Sequence, residues 1–179
     1  MRYEGDMSPH SARRPDVQIP PGPGVPGVAT VTSALLMRAP AHAVYGFLEP
    51  LANHALFTGR RLRLEGVSAD GLGARIAIRG PLGIRRTAHT KVTNLEPPSR
   101  FGGTAAVGRR TMAYVHWGID RAGAGSRVTL TATIVRAGVL DRLLLALGGK
   151  WWLARSFDRA VALLATALAV EEPCAQAAG

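Results

Sequence analysis

The sequence predicts an α+β fold in which a curved antiparallel sheet wraps around a long C-terminal helix. Three observations carry that expectation. Between Arg60 and Val135, runs of β-prone residues alternate apolar with polar positions and are separated by short glycine and proline turns. Residues 139–170 lose that alternation and instead space apolar residues by three and four. The composition is globular, with 179 residues, 47% hydrophobic and 19% charged. At roughly 150 residues per domain the chain holds about one domain plus an extension. The single cysteine, Cys174, excludes an intramolecular disulfide framework and any multi-cysteine zinc module.

Residues 1–27 hold six of the twelve prolines, with Gly22, Gly24 and Gly27 among them, and read as a flexible or extended leader. These glycines match G-x-G-x-x-G by spacing, but Pro23 and Pro26 interrupt the match and no strand precedes it. The folded domain is expected over 28–170. A β-branched run at 28–38 reads as its first strand. Pro40 fits the first turn of a short helix carrying Val44, Phe47 and Leu48. Pro50 ends that helix, and a second short one follows over 51–57.

The sheet strands are expected at 60–67, 73–80, 84–95, 101–107, 109–119 and 126–135. Gly71, Pro81 with Gly83, Pro97-Pro98, Gly108 and Gly123 with Gly125 mark the turns. Short connections between consecutive strands mean an antiparallel meander. An unbroken helix over 139–170 would be about 48 Å long, against about 27 Å for an eight-residue strand. Gly148-Gly149 is therefore expected to break it, leaving a helix over 150–170. Trp151, Ala154, Phe157, Val161, Leu164 and Leu168 are expected on its buried face, with Trp152 on the side of Arg155 and Arg159. Residues 171–179 are expected to be a disordered tail.

Strand alternation assigns the faces. Ala74, Ile76 and Ile78 oppose Arg75 and Arg79. Ala88, Thr90 and Val92 oppose Arg85, His89 and Lys91. Ala113, Val115, Trp117 and Ile119 oppose Arg110, Tyr114 and His116. Val128, Leu130, Ala132 and Ile134 oppose Arg127 and a row of threonines. Each strand thus has one apolar face, which the C-terminal helix covers, and one basic or hydroxylic face. A gap between such a sheet and its helix holds a small apolar molecule; a filled core without a cavity is the alternative.

The order of elements resembles the START-like superfamily (SRPBCC), the polyketide cyclase/dehydrase and lipid-transport family. Local sequence agrees: Ala39-Pro40-Ala41-His42-Ala43-Val44-Tyr45 looks like its first-strand exit, and Leu95-Glu96-Pro97-Pro98-Ser99-Arg100-Phe101 like its diproline turn. Trp117-Gly118-Ile119 followed by Gly125-Ser126-Arg127-Val128 looks like its tryptophan strand, glycine turn and final strand, with Gly125-Ser126 departing from the commoner Gly-Gly-Thr form. The resemblance covers 28–170. It implies a helix-grip fold whose members bind lipids, quinones, sterols or polyketide intermediates, some of them acting as cyclases or aromatases. Fold alone does not choose among these.

The reading that follows is a binder, and potentially a transporter, of a small hydrophobic or amphipathic ligand. Its expected walls are Ile76, Ile78, Val92, Val115, Trp117, Ile119, Leu130, Phe157 and Val161, with Ser33 and Thr90 as the hydroxyls that orient the ligand. The rival reading is a polyketide cyclase or aromatase acting on a carrier-bound intermediate. It needs an acid or base inside the cavity, with Tyr114, His116, His89 and Arg79 as candidates. Those four share the outward parity, so a one-residue register shift would be needed to bring them in.

No cofactor is implied and no metal site is expected, since the five histidines lack ligand spacing. Glu96 is the only carboxylate between Gly71 and Ile119, which leaves a paired-carboxylate mechanism without a home on the sheet. No H-E-x-x-H, P-loop or G-x-S-x-G motif occurs. The formal net charge of +10 favours an anionic partner. Only two of the 22 basic residues are lysines and aromatic interleaving is sparse, which disfavours nucleic acid. An acidic carrier protein or an anionic membrane surface fits better. Charged residues interrupt the apolar stretches around Lys150, so no spanning segment is read, and the expectation is a cytoplasmic protein with scope for peripheral membrane contact.

Overall fold

The structure, a computed structural model, describes residues 27–80 and 83–176, with side chains through 169. The expected Pro/Gly leader, apart from Gly27, lies outside the described residues, as do 177–179. Strand β1 (Ala29–Met37) leads into α1 (Ala41–Leu48), a 3-10 turn (Leu51–Asn53) and the short α2 (His54–Phe57). Six strands follow: β2 (Leu62–Val67), β3 (Gly73–Arg79), β4 (Arg85–Glu96), β5 (Arg100–Val107), β6 (Thr111–Ala122) and β7 (Gly125–Arg136). The chain closes with α3 (Val139–Leu144), a π turn (Leu145–Gly149) and α4 (Lys150–Gln176), which runs past the expected end at 170. Among the described residues, no helix is long and apolar enough to cross a membrane.

The seven strands form one antiparallel sheet in the order β1-β7-β6-β5-β4-β3-β2. β2 to β7 are a meander, because each turn is too short for anything but a hairpin. β1 pairs instead with β7, Ser33 opposite Leu130. The Ser126 hydroxyl, fully buried, donates to the Ala39 carbonyl at 2.8 Å and fixes where β7 begins against the exit of β1.

Curvature comes from irregularities in the ladders. Bulges shift the register at Leu64/Gly66, Val92/Asn94 and Met112/Ala113, and each bends its strand. Gly103 sits opposite the second of these, where a Cβ would lie 1.9 Å from the Lys91 carbonyl oxygen. Only glycine allows that approach.

The concave face follows the parity read from the sequence. In β7, Ser126, Val128, Leu130, Ala132 and Ile134 are all buried. Against them pack Val44, Phe47 and Leu48 of α1, Phe57 of α2, and Phe157, Val161, Leu164 and Leu168 of α4. Phe57 meets Trp117 edge-on, ring centroids 5.8 Å apart. The Ser33 hydroxyl donates to the Asp158 carboxylate at 2.6 Å and ties β1 to α4.

The break at Gly148 is present: its φ is +102° and Leu147 also leaves helical geometry. Beyond it the two tryptophans are reversed from the expectation. Trp151 is 64% exposed and its ring lies 4.7 Å below the Arg155 guanidinium, whereas Trp152 turns toward the sheet. The reason is angular. At about 100° per residue, Trp151 falls about 150° from the centre of the stripe that packs on the sheet and Trp152 about 110°. Leu153, Phe157, Ala160 and Leu164, spaced by four and three, hold the inner face instead.

Candidate functional site

A cavity of about 310 Å³ lies between the concave face of the sheet and the helices. Its floor is built by alternation. β3 contributes Ala74, Ile76 and Ile78, and β4 contributes Arg86, Ala88, Thr90 and Val92. β5 adds Phe101, Gly103 and Ala105; β6 adds Ala113, Val115 and Trp117; β7 adds Leu130, Ala132 and Ile134. The roof comes from α2 (His54, Phe57), from α3 and the π turn (Asp141, Leu144, Leu145), and from α4 (Trp152, Leu153, Phe157, Ala160). Small residues recur across the floor. Ala74, Ala88, Ala105, Ala113 and Ala132 leave open a volume that larger side chains would fill.

The walls are apolar with few polar interruptions. At one end the Arg86 guanidinium pairs with the Asp141 carboxylate at 3.0 Å, and the Thr111 hydroxyl donates to the same carboxylate. Both members of the ion pair are half-buried. The Thr111 hydroxyl in turn accepts the Gly138 N–H at 3.1 Å, so the start of α3 is held to β4 and β6 through side chains. Elsewhere the Thr90 hydroxyl donates to the Ala74 carbonyl at 3.3 Å. His54 Nε2 is 2.9 Å from the Leu48 carbonyl and donates to it, while the ring packs against Phe57 and Phe101. Burial pushes the His54 pKa below the ordinary 6.5, opposed by the hydrogen bond to Leu48. Among the described residues, no three His, Cys, Asp or Glu side chains gather as metal ligands would.

Of the residues singled out in the sequence, Ile76, Ile78, Thr90, Val92, Val115, Trp117, Leu130 and Phe157 line this cavity together. Ser33, Ile119 and Val161 do not. They are buried in the packed core beside it, and the Ser33 hydroxyl is committed to Asp158. Arg79, His89 and His116 are exposed on the convex face, and Tyr114 shares the parity of His116. Burial and the nearby Arg100 lower the pKa of His116.

Several polar wall residues escaped the sequence reading, among them Arg86, Asp141, His54 and Thr111. Arg86 carried the clearest signal, since it shares the parity of Ala88 and Thr90 and belongs with the inward set. Asp141 and His54 sit on short helices, where no alternation fixes a face.

No protein-family model matches the chain, and no curated protein matches it by sequence. Solved structures do match in shape. The chain is similar to TTHA0849 from Thermus thermophilus, with TM-score 0.66 and 17% identity over 80% of this chain and 99% of that one. It is similar to a Rhodobacter sphaeroides protein, with TM-score 0.60 and 16% identity over 83% and 96%. It is also similar to Ara h 8.0201, with TM-score 0.58 and 10% identity over 79% and 98%. At these identities the likeness is one of fold. The chain has the helix-grip architecture, a seven-stranded antiparallel sheet with a long C-terminal helix.

Proposed function

We propose that the protein binds and carries a small apolar or amphipathic ligand in the cavity between sheet and helices. The observation that carries this reading is the cavity itself, about 310 Å³ with almost wholly apolar walls. Small-molecule pockets span about 300–1,000 Å³ and combine such walls with a few polar groups. Ile76, Ile78, Val92, Val115, Trp117, Leu130 and Phe157 supply the apolar contact. Burying roughly 200 Å² of ligand surface there stabilises the complex by about 5 kcal/mol before the entropy of association is subtracted. Thr90 and the Arg86–Asp141–Thr111 cluster are the groups placed to meet a polar end of the ligand.

Native mass spectrometry of protein incubated with a lipid extract tests the reading. Retention of one small molecule per chain supports it. Protein that stays empty, both as purified and after incubation, overturns it.

A second reading, cyclisation of a carrier-bound polyketide, draws on one observation: the His54 imidazole borders the cavity and burial favours its neutral form. It makes His54, rather than Tyr114, His116, His89 or Arg79, the acid/base group. Formation of an aromatic chromophore from a poly-β-ketone thioester, lost in His54→Phe, would favour it over simple carriage.

A further inference from the structure

We propose that the outer face of residues 139–151 docks on an anionic membrane surface. Val139, Leu143, Leu147 and Trp151 recur at every fourth position and are 80%, 54%, 74% and 64% exposed, with Leu140 beside them at 50%. Isolated exposed apolar residues are ordinary; five large ones within thirteen consecutive residues, on both sides of the kink at Gly148, concentrate exposed apolar surface on one segment. The inner face of the same segment is already used, because Asp141, Leu144 and Leu145 line the cavity. The outer stripe therefore has no partner within the described residues.

Charge selects the occupant. Arg136, Arg142, Lys150, Arg155 and Arg159 are all exposed around or beyond the stripe, and Arg155 stacks on Trp151. Over the same span, 136–159, the acidic residues are Asp141, whose carboxylate is turned inward to Arg86 and Thr111, and Asp158, which accepts from the Ser33 hydroxyl. A short amphipathic segment with leucines and a tryptophan on one side and cations at its flanks suits the interface of an anionic bilayer. A second copy of the chain suits it poorly, since a two-fold contact would set this basic patch against itself. Docked in this way, the protein presents the α3 end of its cavity to the lipid.

Flotation of the full chain with vesicles of phosphatidylcholine alone, and of phosphatidylcholine mixed with phosphatidylglycerol, is the test. Wild type is expected to float with the mixed vesicles and far less with the neutral ones. Leu143→Gln with Trp151→Gln should abolish flotation. Arg142→Gln with Lys150→Gln should weaken it roughly five-fold per charge removed. None of these side chains lines the cavity, so ligand retention by the variants stays at the wild-type level and separates this proposal from the carrier reading. Wild type that stays unbound overturns the proposal, as does flotation equal in wild type and both variants. A concentration-dependent dimer that Leu143→Gln with Trp151→Gln dissolves would also overturn it, assigning the stripe to a second copy.

Discussion

Arg86 on β4 and Asp141 on α3 form an ion pair at 3.0 Å that ties the roof of the cavity to its floor. The partners lie 55 residues apart, and the Thr111 hydroxyl shares the same carboxylate. Asp141→Asn keeps the shape but leaves the Arg86 guanidinium half-buried without its counter-charge. The expected loss is about 1–3 kcal/mol in urea unfolding, below that of a fully buried pair because both groups retain some water. Hydrogen exchange of the amides over 139–149 should accelerate, and unchanged exchange there would show that the pair does not hold α3 down.

Cavity volume is open to a direct steric test. Val115 is half-buried on the interior strand β6 and lines the cavity. Val115→Trp places an indole in that space. Ligand retention should fall at least tenfold, measured with a lipophilic fluorescent probe, while unfolding shifts by no more than about 1–3 kcal/mol.

Core and stripe leucines should respond differently to truncation. Leu164 has no exposure, so Leu164→Ala removes methyl groups from close packing and should cost about 2–5 kcal/mol. Leu147→Ala, at 74% exposure, should stay within about 0.5 kcal/mol. Chemical denaturation of both variants checks the contrast.

Acid should weaken the fold through His54. In the unfolded chain it protonates near the ordinary 6.5, whereas in the fold burial lowers its affinity for the proton. The unfolded state therefore binds more protons between the two values. Stability from the neutral ring is complete above about pH 6.5 and is lost as pH falls from there through the lowered value. His116 is shifted in the same direction, so some slope remains without His54. Unfolding free energy measured from pH 7.5 down to 5 should decline, and His54→Phe should flatten that decline.

Much of this architecture is legible in the residues. Alternation places Ile76, Val92, Val115 and Leu130 on one face because the β period is two, and a slip of one residue would expose the whole set. Gly148 announces the kink because few other residues hold φ at +102°. What escapes is local and angular. The tryptophan pair is reversed because the buried stripe centres on Leu153, Phe157, Ala160 and Leu164 and lies closer in angle to Trp152 than to Trp151. Arg86 was legible by parity, yet its partner Asp141 was not, because a six-residue helix has too few turns to declare a face. The open volume itself depends on where five alanines meet across different strands, and no single stretch of sequence displays that coincidence.

Methyl NMR of the protein carrying its recovered ligand, or a lipophilic probe in its place, would locate the bound molecule residue by residue. A ligand held between sheet and helices gives intermolecular contacts to the methyl groups of Ile76, Ile78, Val92, Val115 and Leu130. Contacts confined to Leu143 and Leu147, or to the convex face around His89 and His116, would contradict carriage in the cavity.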